Sequence, residues 1–93
     1  MERNHAVELD RIMDDFRAFV KQRFEIADGD AAFGDDVHLF DYGYVDSFGA
    51  VDMTLYSEKK YGIHISNEDL VMNPLNTIRE ISTFIHRRVN QGA

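Results

Sequence analysis

The residues best placed for chemistry lie in the stretch Gly43, Tyr44, Val45, Asp46, Ser47, Phe48, Gly49, Ala50, Val51, Asp52, Met53. Asp46 and Ser47 are both strong N-terminal capping residues, and the apolar Phe48, Val51 and Leu55 follow at helical spacing. The chain is therefore expected to turn sharply into a helix here. Ser47 would then present its hydroxyl at a loop-to-helix junction, exposed and held in place. Taken alone, that serine reads more readily as an ordinary helix cap. A Ser-His-Asp hydrolase would also need an oriented base and an oxyanion hole, and a small helical chain offers no evident frame for them. Other chemistry fares no better. His5, His38, His64 and His86 show no metal-ligand spacing with a partner carboxylate, so no metal site is expected. Asp28, Gly29, Asp30 matches the opening of a calcium loop, but Phe33 stands where that loop needs its turn glycine. His38 and Leu39 occupy its end, where a bidentate glutamate is required.

The elements that must position Ser47 have to fit within 93 residues, enough for one domain and too few for a cleft walled by two layers. At 44% hydrophobic, with seven Phe and four Tyr, the chain can bury a packed core. It has no cysteine, which removes disulfides, thiolate metal sites and thiol nucleophiles. The N-terminus lacks an apolar leader segment, and no apolar run approaches the roughly 20 residues that span a bilayer. A soluble, cytoplasmic protein is expected. A net charge of -7 makes phosphate backbones and anionic headgroups poor partners, so nucleic-acid binding is not expected. Partners with basic docking surfaces suit such a chain better.

Four helical segments and one long loop follow from the periodicity. From about Asn4 to Phe24, the residues Leu9, Ile12, Met13, Phe16, Phe19 and Val20 recur at spacings of three and four, which makes one apolar stripe. Glu25 to Tyr44 is rich in aspartate and glycine, with isolated apolar residues such as Phe33, Val37, Leu39 and Phe40 that could pin a long ordered loop to the core. The second helix is expected from Ser47 to Tyr61, stopped by Gly62 with Lys59 and Lys60 in its last turn. Ser66 to Asp69 opens a short third helix through about Met72, ended by Asn73 and Pro74. Thr77 and Glu80 form a capping box for the last helix, whose Ile78, Ile81, Phe84 or Ile85, and Val89 face inward. The expected fold is all-α: a three- to four-helix bundle with a long first loop, in a single domain spanning residues 1–93 with its core at about 7–89.

The order of these elements, the approach Leu39, Phe40, Asp41, Tyr42, Gly43, the Asp46-Ser47 pair, the Tyr61, Gly62, Ile63 stretch and the Thr77, Ile78 start together resemble the acyl carrier protein family. The resemblance implies that a phosphopantetheinyl transferase joins Ser47 to 4'-phosphopantetheine donated by coenzyme A, and that the terminal thiol of this arm carries an acyl or aminoacyl group as a thioester. It implies a non-catalytic, monomeric carrier served by acyl or aminoacyl ligases and acyltransferases. Asp46 would sit beside the attachment residue, as a cap or in contact with partners. Asp52 and Glu58 would correspond to the acidic recognition face and act as one acidic edge. Phe48 would either pack in the core or flank the arm, and Met53 and Tyr56 would pack in the core or at its rim rather than line a cargo site. Asp46 to Asp52, and Asn73, Pro74, Leu75, Asn76, are locally similar to D-alanyl carrier proteins, which together with Phe48 and Gly49 favours a specialised lipid, polyketide or aminoacyl pathway.

A phosphodiester at a helix N-terminus lies near unpaired backbone N–H groups and the positive end of the helix dipole. The alternative function is an unmodified acidic helical domain that binds a protein partner through the same helix.

Overall fold

Two amphipathic helices make the scaffold of the computed structural model, which describes residues 8–91. The first, α1 (Leu9–Arg23), buries Ile12, Met13, Phe16 and Val20, the stripe that its periodicity predicts. The helix is expected from about Asn4, but Glu8 has extended backbone and caps it, so α1 opens only at Leu9; residues 4–7 lie outside the described residues. Near the other end of the chain, α4 (Ile78–Gln91) buries Ile78, Ile81, Phe84 and Ile85 and packs chiefly against α1. Phe16, Ile12, Ile78 and Ile85 are fully buried. Each such side chain contributes on the order of 1.5–3 kcal/mol by leaving water.

Between these two helices stand α2 (Ser47–Tyr61) and α3 (Asn67–Met72), so the described residues form the expected all-α bundle. Gly62 ends α2 in the left-handed region at φ 65°, with its N–H bonded to Glu58 O. The capping box of α3 is formed by Ser66 and Asp69. At the start of α4, Thr77 Oγ accepts from the Glu80 N–H at 3.0 Å, but Glu80 Oε1 accepts from the Asn76 N–H at 2.9 Å. The return arm of that box thus lands one residue earlier than the pattern predicts.

The loop from Phe24 to Asp46 is ordered by specific bonds rather than by regular structure. Leu39 is fully buried, and its N–H donates to Asn76 O at 2.9 Å. Its carbonyl in turn accepts from the N–H groups of Tyr44 and Val45. Arg17 of α1 grips Asp35 through two bonds of 2.8 and 2.9 Å, and Arg79 of α4 holds Asp36. The aspartates of the calcium-like stretch have structural roles: Asp28 pairs with Lys21, while Asp30 accepts from the Ala32 N–H and from Tyr44 Oη. The loop is thus anchored to both scaffold helices, and it delivers the chain to Ser47 from a fixed direction.

Candidate functional site

Ser47 is the first residue of α2 and lies exposed on the surface. The turn that presents it is built from both sides. Gly43 takes φ 79°, which favours glycine, and Val45 plugs into the core with 4% of its surface exposed. Asp46 has extended backbone, and its Oδ1 accepts from the Gly49 N–H at 2.9 Å while its carbonyl accepts from the Ala50 N–H. Asp46 is therefore the cap, and Ser47 is relieved of that duty, so its hydroxyl is left for other chemistry. Among the described residues, the N–H groups of Ser47 and Phe48 have no backbone or side-chain acceptor. They are the unpaired donors of a helix start, at the positive end of the helix dipole, a setting that tolerates negative charge.

Gly49 explains how this turn sits so low on the molecule. A Cβ at that position would lie 2.7 Å from both Phe24 Cε1 and Val45 Cγ1. Only glycine allows the first turn of α2 to rest on the Phe24 ring.

The apolar stripe of α2 faces outward. Phe48 is 81% exposed, Val51 55% and Leu55 57%, so Phe48 does not pack in the core. The buried side of the helix consists of Gly49, Met53 and Ser57. Tyr56 stacks on Phe19 with ring centroids 3.9 Å apart, in the packing role expected for it. Met53 is buried too, but it also forms part of a cleft wall described below.

Asp52 and Glu58 do not make one acidic edge. Six residues at 100° each leave them about 120° apart around the helix. Asp52 is ion-paired with Arg23 at the end of α1. Glu58 turns the other way, accepts from the Ile65 N–H at 2.8 Å and lies 3.2 Å from His64 Nδ1. Their charges are thus engaged within the chain, and neither is offered freely to a partner.

Two further features were not singled out from the sequence. A cleft of about 540 Å³ opens between α2 and α3, walled by Met53, Ile65, Leu70, Val71 and Met72 and floored by Ile81. Among the described residues no charged side chain lines it, and Thr54, Ser57, Asn73 and Asn76 supply its polar part. The signal was the run Leu70, Val71, Met72, since three consecutive apolar residues in a six-residue helix cannot all face inward. On the opposite flank, Asp15 accepts from Tyr56 Oη at 2.7 Å and Tyr61 Oη at 2.6 Å, with Lys60 Nζ at 3.3 Å. Burial pushes the Asp15 carboxyl up, but the bonds from Tyr61, Tyr56 and Lys60 together outweigh it and hold the group below the usual carboxylate range. Burial and the neighbouring Asp15 both push the two phenols well above theirs.

The family model described as "Phosphopantetheine attachment site" matches residues 14–85, most of the chain and all of the turn around Ser47. No curated protein and no solved structure gives a significant match. With a four-helix bundle, an exposed hydroxyl on a capped helix start and open N–H donors beside it, the chain belongs to the phosphopantetheine-attachment family, whose members bind 4'-phosphopantetheine covalently.

Proposed function

We propose that Ser47 is the residue joined to 4'-phosphopantetheine, and that the chain is a non-catalytic carrier of an acyl group. One observation carries this reading: Ser47 is an exposed hydroxyl at the first position of α2, freed from capping by Asp46 and lying inside the matched span. The arm supplies a terminal thiol that holds cargo as a thioester. Ser47 Oγ forms the new bond to phosphorus as the pyrophosphate linkage of coenzyme A breaks and adenosine 3',5'-bisphosphate leaves. The hydroxyl proton passes to a base on the transferase, so Ser47 needs no activating partner of its own. Asp46 and Gly49 hold the turn still while this happens.

The cleft between α2 and α3 favours an acyl over an aminoacyl cargo. No carboxylate lines it, so an ammonium placed there would find no charge to balance it. The enzymes served are a phosphopantetheinyl transferase, a loading ligase and acyltransferases. Phe48, exposed next to Ser47, is the contact that these enzymes share.

Incubating the chain with coenzyme A and a broad-specificity phosphopantetheinyl transferase tests the reading by intact mass. One phosphopantetheine is expected on the native chain and none on Ser47→Ala. A native chain left unmodified while a control carrier is modified would refute it.

A further inference from the structure

The cleft between α2 and α3 holds a polar row that a plain sleeve for hydrocarbon would lack. Ala50, Met53, Thr54 and Ser57 line it from α2. At 100° per residue these four fall within an arc of about 100°, so one face of the helix makes that wall. Ala50 is three residues past Ser47, about 4.5 Å along the axis, and the cleft therefore begins within a turn of the attachment residue. Thr54 and Ser57 lie about 10 and 15 Å along the same axis.

A hydroxyl has a single proton to give, and both of these have already placed theirs. Thr54 Oγ1 donates to Ala50 O at 3.0 Å, and Ser57 Oγ donates to Met53 O at 2.8 Å. Among the described residues no group donates to either oxygen in return. What they offer the cleft is lone pairs alone. Ser57 has only 1% of its surface exposed, so water scarcely reaches it. Asn73, also in the lining, spends an N–H of its carboxamide on Asp69 O at 2.8 Å. These acceptors sort any guest. A saturated chain seated against them excludes water and returns no hydrogen bond, while an oxo group sets its own lone pairs against theirs. A hydroxyl donates to them, and Met53, Leu70 and Ile81 cover the rest of the chain.

Resting on the carrier reading, we propose that the cargo carried on Ser47 is a hydroxylated acyl chain, whose hydroxyl donates to Thr54 or Ser57 in the cleft. Thr54 and Ser57 are then the residues that set cargo specificity. The apolar lining holds the chain, and the two acceptors select which chain is held, because a site built to bind a hydroxyl discriminates against the analogue that lacks it.

The test loads the full chain from coenzyme A thioesters with a broad-specificity phosphopantetheinyl transferase, which moves the acylated arm as one piece. The acyl groups share one medium length and are saturated, hydroxylated at successive carbons, or oxo-substituted. Intact mass establishes loading, and amide exchange over residues 50–57 and 70–76 reads occupancy of the cleft. Each loaded protein is compared with the same variant carrying the bare arm, which cancels whatever a substitution does to the helix by removing its bond to the preceding turn. At least one hydroxylated chain is expected to slow this exchange about tenfold more than the saturated and oxo chains do. Thr54→Val combined with Ser57→Ala should bring all the cargoes to within about twofold of one another, while Thr54→Ser should keep the native order. If no hydroxylated chain outdoes the saturated one, or if the preference survives in the double variant, the proposal is overturned while the carrier reading stands. A native chain that takes no arm while a control carrier does refutes the carrier reading itself.

Discussion

At the scale of single residues, the sequence makes Ser47 and its setting plain. A serine preceded by aspartate and followed by apolar residues at helical spacing predicts both the helix start and the exposed hydroxyl, and the structure has them. The reason for Gly49 was not legible, because only the folded chain brings Phe24 beneath it. By propensity alone, glycine in a first turn is a cost of about 1 kcal/mol. In the fold it is what lets the turn sit 2.7 Å, at a would-be Cβ, from the Phe24 ring and Val45. Gly49→Ala should therefore lower stability despite its better propensity, by about 1 kcal/mol, an overpacking cost of roughly 1–3 kcal/mol less a propensity gain of about 1 kcal/mol. Urea denaturation measures this, and adding Val45→Ala should recover part of the loss. Asp46→Ala removes the cap and should cost about 1 kcal/mol in the same assay.

At the scale of elements, the helix limits were legible where capping residues and stops mark them, as at Ser66, Gly62 and Pro74, but not at the start of α1, where Glu8 caps with extended backbone and no side-chain bond. The facing of α2 was legible only in part. Met53 and Tyr56 pack as expected, but the sequence leaves Phe48 open between core and surface, and it turns outward with Val51 and Leu55 because α1, α4 and Leu39 already fill the core and α2 is packed through Gly49, Met53, Ser57 and Tyr56. Beside the Arg23–Asp52 pair and the Phe19–Tyr56 stack, α2 is tied to α1 by the Asp15 hub, formed by residues 41 and 46 positions apart in sequence and so invisible to local pattern. Asp15→Ala leaves two half-buried phenols without their acceptor and should cost about 1–2 kcal/mol, read as a melting point lowered by roughly 5–10 °C. A second tie joins α3 to α4. Arg88 binds Asp69 through two nitrogens, donates to His64 O at 3.0 Å and lies over the Phe84 ring at 4.6 Å. Arg88→Ala should speed amide exchange across residues 67–72 and leave α1 unchanged.

At the scale of the whole molecule, net charge was legible and its distribution was not. The chain's acidity was expected to run along α2. Instead it is concentrated in the loop from Phe24 to Asp46, which has acidic residues but no lysine or arginine, and much of it is spent on Arg17, Lys21 and Arg79. Acid sensitivity follows from the carboxylates that are tied down. Asp69, bonded by Arg88 and by the Ser66 N–H, is held far below its ordinary value of 3.8, and Asp15 is held below it too. Groups depressed in the folded state lend stability above their unfolded pKa and lose it as pH falls through the folded value. The melting temperature should therefore be level near neutrality and drop as pH falls below about 4, with a shallower drop in Asp15→Asn combined with Asp69→Asn. The central claim, that this bundle exists to present one covalent arm on Ser47, is tested most directly by peptide-level mass spectrometry of the protein isolated from its own cell. The account predicts phosphopantetheine, free or acylated, on the peptide bearing Ser47. A fully unmodified peptide, or the group on any other residue, would contradict it.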